Sequence, residues 1–206
     1  MPVYTPPQPG RDRPEWVVAI NRNAWSQSIV IGGRNQSVRP ERTALSLLRG
    51  PEPEIKGSDE LSGEIAVLVN WLNSVRERGV GPGEVAIFAR TRRALQERAE
   101  PALKQAGLVG AWLSPDHDFD SGKISLGTLH SAKGLEFRAV AVVACDDDNL
   151  PLKAAIDAAT ELDEKSVTKD RELSLLYVGC TRARDQLLIS WSGTPSRFLA
   201  SQKQPD

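Results

Sequence analysis

Apolar residues fall into two rhythms along this chain. Leu61, Ile65, Leu68, Val69 and Leu72 recur at the three- and four-residue spacing of one helical face, so 59–80 reads as a helix. Gly79 and Gly81 end it, with Arg76 and Arg78 in its last turn. "TRRALQERAEPALKQAG" (91–107) reads as a second helix that Pro101 kinks or breaks. "KDRELSLLYVGCTRARD" (169–185) reads as a third, with Leu173, Leu176 and Tyr177 inward, and a further helical segment falls near 152–162. Between them stand short continuous apolar runs of strand length: "EVAIFA" (84–89), "ISLGTL" (124–129), the β-branched "AVAVVAC" (139–145) and "QLLISW" (186–191). "EIKGS" (54–58) can add a strand, and "WVVAI" and "SIVIGG" nearer the start can add two more. Strands alternating with helices argue an α/β domain, a parallel sheet covered on both faces, with its functional loops at the carboxyl ends of the strands.

Composition narrows the functional classes. The 206 residues are 40% apolar and 26% charged, enough for one substantial domain, and the net charge is −1. No global basic field attracts nucleic acid, so any such contact must be local. Five prolines among the first fifteen residues suit an extended arm. No stretch has the length of a membrane span, and no signal-peptide core opens the chain, which makes cytoplasmic the expected location. Cys145 and Cys180 sit far apart in apolar text and are expected to be free buried thiols.

Three polar stretches interrupt the apolar pattern: "ARTRRAL" after Phe88, "TLHSAKGLEF" (128–137) and "YVGCTRARD" (177–185). Arg90 and Arg182 are candidates to converge on one anion, since guanidinium forks match phosphate oxygens. Lys133-Gly134 offers a cation and exposed backbone N–H groups in a turn, and Glu136 a carboxylate that can accept from a ribose hydroxyl. A P-loop, G-x-x-x-x-G-K-[ST], is absent: in "SGKIS" (121–125) Ile124 stands in the hydroxyl position and no glycine lies five residues before Gly122. "CDDDN" (145–149) invites a metal site, but three consecutive carboxylates cannot all face one ion, so a solvated loop is expected. His117 and His130 are too isolated for a zinc set. Cys180 is expected to pack in the core rather than react.

"TLHSAKGLEF" and "LLYVGCTRARDQLLIS", in that order, resemble motifs V and VI of the UvrD/Rep family of superfamily 1 DNA helicases, and "EVAIFARTRRAL" resembles motif IV. The resemblance covers roughly 43–199 and implies the second, C-terminal RecA-like domain, with 1–42 an unmatched arm and 200–206 a tail. It implies ATP as cofactor, with Mg²⁺ held by a P-loop domain that this text lacks, and single-stranded DNA as the other partner. By position, Arg90 is similar to the motif IV arginine that reaches the γ-phosphate and Arg182 to the motif VI arginine finger. Glu136 is similar to the acidic residue near the ribose, with Lys133 and Gly134 in the same turn. Thr128 and His130 are similar to the T-x-H edge that contacts the DNA backbone, and Tyr177 to a packing tyrosine. Arg184 occupies a position expected to be merely surface-basic. Ala89 stands where many relatives place an adenine-stacking tyrosine, and the N-Y-R-S text of the family is absent from 16–42. Motifs I, Ia, II and III are missing, so an isolated chain is not expected to hydrolyse ATP. Two other roles stay open: a non-catalytic module binding nucleic acid or protein, and a truncated helicase remnant.

Overall fold

The computed structural model describes residues 52–114, 122–158 and 161–199, together with the backbone of two short strands, β1 (Val18–Ile20) and β2 (Ile29–Ile31), which pair antiparallel. The expected extended arm over the first fifteen residues, His117 and the 200–206 tail lie outside the described residues. The main body follows as β3 (Glu54–Ser58), α1 (Leu61–Glu77), β4 (Val85–Ala89), α2 (Arg92–Ala106), β5 (Gly110–Trp112), β6 (Ile124–Thr128), β7 (Phe137–Val142), α3 (Lys153–Asp157), α4 (Leu162–Cys180) and β8 (Ala183–Ser192). Strands β3 to β8 form one parallel sheet in the order β3-β8-β7-β4-β6-β5.

Burial explains why the apolar runs are unbroken. All five residues of β4 are buried, and β7 is nearly so, because each carries a layer on both faces. On one face α1 and α2 cover Ile87, Ala89, Ala139, Ala141 and Leu188. On the other, α4 and the turn after β6 cover Ala86, Phe88, Val140, Val142, Leu187 and Ile189. Phe88 and Phe137 meet edge to face there, with ring centroids 6.0 Å apart.

The structure departs from the sequence pattern at several places. The buried stripe of α1 is Glu64, Leu68, Trp71, Leu72 and Val75, whereas Leu61 is 39% exposed. The face is turned because Glu64, a charged residue, is drawn inward by partners from other elements. Helix α2 runs unbroken through Pro101 and ends at Gly107, whose φ of 67° suits a residue without a side chain. Helix α4 begins seven residues before its expected start and stops at Cys180. Consequently "TRARD" is not helical: Thr181 and Arg182 make the turn, and Ala183 already begins β8. The three-residue β5 falls where the pattern gave no strand.

Candidate functional site

Candidate residues lie at both ends of the strands, not only at the carboxyl ends. Phe88 stands opposite Val142, so Arg90 lies beyond the carboxyl end of the β4–β7 ladder; Thr128 ends β6 beside Ala89. Ala183 stands opposite Phe137, so Arg182 and Glu136 lie before the amino ends of β8 and β7. At about 3.3 Å per residue, the backbones of Arg90 and Arg182 are roughly 25 Å apart along the strands. The expected convergence of the two arginines on one anion is therefore corrected.

Their side chains reinforce the separation. Arg90 donates from Nε and Nη2 to the two carboxylate oxygens of Glu172, each at 2.7 Å. Both side chains are largely out of water, 13% and 4% exposed, and Glu172 also accepts from the Leu152 N–H at 3.1 Å. This bidentate pair cancels the charge of Arg90 and fastens the end of β4 to α4. Arg182 meets only neutral acceptors: the Val178 carbonyl at 3.1 Å, the Leu135 carbonyl at 3.2 Å and the Thr181 hydroxyl at 3.2 Å. A guanidinium closing the last turn of a helix complements the negative end of its dipole. Two of its five N–H donors remain, and no carboxylate among the described residues neutralises it.

What Arg182 does gather is the turn before β7. Its carbonyl accepts from the Phe137 N–H at 2.9 Å while its Nη1 holds the Leu135 carbonyl, so Glu136 is gripped from both sides. Glu136, Lys133 and Gly134 are exposed, and neither the Glu136 carboxylate nor the Lys133 ammonium has an ion pair among the described residues. Gly134 has φ 80°, the left-handed geometry that lets the turn reverse at this edge. Arg182 and Glu136 thus share the amino rim, with Lys133 and Gly134 three and two residues before Glu136 in the same connection. At the opposite rim Thr128 is half-buried, His130 is exposed, and the Ser131 hydroxyl holds the Thr128 carbonyl at 2.7 Å. Tyr177, on α4, is half-buried, and Arg184 is exposed with Asp185 as its partner at 3.0 Å.

The "CDDDN" loop is not simply solvated. Asp146 is 4% exposed and accepts from Arg98 at 3.2 Å, Asp147 pairs with Arg197 at 2.8 Å, and Asp148 pairs with Lys153. Each carboxylate has its own cation, and no cluster able to hold a metal ion occurs among the described residues. Arg98 also donates to Glu64 at 2.8 Å, and Glu64 accepts from the Ala144 N–H at 2.8 Å and the Ser190 hydroxyl at 2.9 Å. This buried network was missed because its members are far apart in sequence; Glu64 and Arg98 on otherwise apolar helical faces were the available signal. Cys145 and Cys180 are free and buried, as expected. Burial pushes the Cys180 thiol up to about 12, which removes it as a nucleophile.

Residues 85–194 match the family model of the UvrD-like helicase C-terminal domain. The ATP-dependent DNA helicase UvrD1 of Mycobacterium tuberculosis is 45% identical over 76 residues, which are 37% of this chain and 9% of that protein. UvrD2 of the same organism is 42% identical over 86 residues, covering 37% of this chain and 12% of the relative. The chain therefore corresponds to a small fraction of the length of these relatives. A solved C-terminal domain of a possible DNA helicase from Lactobacillus plantarum superposes with a TM-score of 0.54 at 22% identity, covering 74% of this chain and 81% of that one. That likeness bears on the RecA-like fold. No helix among the described residues is long and apolar enough to cross a membrane.

Proposed function

Because the chain belongs to the UvrD-like helicase C-terminal domain family, we propose that it is the second RecA-like half of an ATP-dependent DNA helicase motor. In this reading it closes over ATP bound to a P-loop domain that the 206 residues do not include. The observation that carries it is the state of Arg182: a guanidinium fixed by backbone carbonyls, uncompensated by any described carboxylate, at an open rim. An arginine held so needs little reorganisation to meet a phosphate arriving from outside. Glu136, next to it, suits a ribose hydroxyl; Lys133 and the Gly134 N–H suit phosphate oxygens. These residues fit ATP, which supplies the phosphoryl group, while Mg²⁺ belongs to carboxylates of the P-loop domain. Arg90 has no part at this rim, since Glu172 already holds it. Thr128 and His130, on the far rim, are the contacts for single-stranded DNA.

The test is reconstitution with a P-loop helicase domain. Alone, the chain should show no DNA-stimulated ATP hydrolysis; with the partner domain, hydrolysis should appear. Arg182→Ala should then lower kcat by on the order of 10³-fold, the low end for arginine fingers, without loss of the fold. Substantial hydrolysis by the lone chain, or an Arg182→Ala complex as active as the parent, sinks the proposal.

A further inference from the structure

The carboxyl rim holds one cation whose surroundings differ from those of its neighbours. Of the arginines in "ARTRR", Arg90 is bound to Glu172 and Arg93 to Glu97 at 2.7 Å. Arg92 has no carboxylate partner among the described residues; its guanidinium carbon lies over the Trp112 ring, 4.6 Å from the centroid. That distance is within the range of a cation–π contact, and it orders a long side chain that would otherwise move freely. Trp112 belongs to β5, which pairs with β6 at Leu126, two residues before Thr128. Arg92 opens α2 directly after β4, which pairs with β6 at Thr128. Three adjacent strands, about 4.8 Å apart, therefore bring Arg92, Trp112 and Thr128 to one corner of the sheet.

We propose that the Arg92–Trp112 pair is a stacking platform for one unpaired base of single-stranded nucleic acid, beside the backbone contacts at Thr128 and His130. It rests on the reading of the carboxyl rim as the DNA side of the molecule. One guanidinium face is turned to the indole, and the other is available to a base. Guanidinium planes and aromatic rings stack on bases irrespective of sequence, because every base has a π-face. Prior ordering of Arg92 on Trp112 lowers the entropy lost on binding. The platform gives the rim a preference for bases over bare sugar-phosphate, which phosphate contacts alone do not supply.

Binding of the full chain to labelled oligo-dT, compared at low salt with an abasic strand of equal length and charge, tests the idea. The dT strand should bind about ten-fold more tightly, the scale of one stacked base. Arg92→Lys keeps the charge on an exposed position, so the fold is preserved, and should erase most of that ratio while leaving the salt slope unchanged. Trp112→Phe should report through fluorescence, since the loss of a dT-induced change among five tryptophans assigns that change to Trp112. Equal affinity for both strands, with normal salt dependence, overturns the platform and leaves the DNA rim standing. No binding of either strand overturns both. A dT preference that survives Arg92→Lys overturns the role of the guanidinium plane.

Discussion

Arg90 directs two N–H donors onto one buried carboxylate, while Arg182 directs three onto neutral oxygens. Removing the first leaves Glu172 charged, buried and unpaired; removing the second leaves only neutral oxygens, the Val178 and Leu135 carbonyls and the Thr181 hydroxyl. Arg90→Met should therefore destabilise the chain by about 3–5 kcal/mol, and the double variant with Glu172→Met should regain most of it. Arg182→Ala should cost no more than about 1–2 kcal/mol, the scale of ordinary hydrogen bonds. Urea midpoints of the four proteins check both values; equal losses for the two single variants would make Arg182 a structural residue. The sequence could not separate these arginines, because each follows an apolar run and the deciding partner, Glu172, lies 82 positions from Arg90. Cys145 and Cys180 were easier to read, since apolar neighbours on both sides in sequence already indicate burial. Desolvation raises both thiols, so a disulfide reagent at pH 8 should label them only as urea opens the fold.

Helix α4 joins the two rims, holding Arg90 through Glu172 and Arg182 through Val178. Its close packing depends on Gly179: a Cβ there would come within 2.5 Å of Leu129 Cδ2. Gly179→Ala should lower stability by about 1–3 kcal/mol, as overpacked positions do, and thermal melts should show part of the loss restored when Leu129 is also made Ala. A second connection at this scale is Asp147 with Arg197, which ties the loop after β7 to the turn after β8. The Arg197 hydrogen bond holds the Asp147 carboxyl below its ordinary value. A depressed folded pKa gives stability that is complete above the unfolded value, about 3.9, and disappears as pH falls through the folded one. Arg197→Gln should thus lower the melting temperature at pH 7 and make little difference at pH 2. Element type was legible where a run was long and periodic, as in α1, or short and continuously apolar, as in β4 and β7. Boundaries were not, and the reason is physical: "TRARD" has the composition of a helix end, but pairing of Ala183 with Phe137 draws it into β8. Likewise β5 is too short to show a period and exists through its pairing with β6.

Across the whole molecule, one parallel sheet separates the amino rim, proposed to meet a nucleotide, from the carboxyl rim, proposed to meet a nucleic-acid strand. The Glu64–Arg98–Asp146 network stiffens that frame by joining α1, α2, the loop after β7 and, through Ser190, the end of β8. Through Asp146 and Ser190 it lies at the carboxyl end of the sheet, and none of its charges is on the loop that carries Glu136 and Arg182. Such a frame can transmit movement only as a body, and substitutions at the two rims should then differ in kind. In a reconstituted complex with a P-loop domain, His130→Ala should reduce the stimulation of ATP hydrolysis by single-stranded DNA several-fold and leave DNA-independent hydrolysis unchanged. Arg182→Lys should depress hydrolysis with and without DNA by the same factor, because a compact ammonium cannot reproduce a planar fork at a phosphate. Steady-state rates over a DNA titration distinguish the two patterns. Should His130→Ala lower the DNA-free rate as well, the far rim would be acting on the nucleotide directly, and the separation along the strands would no longer describe how this domain works.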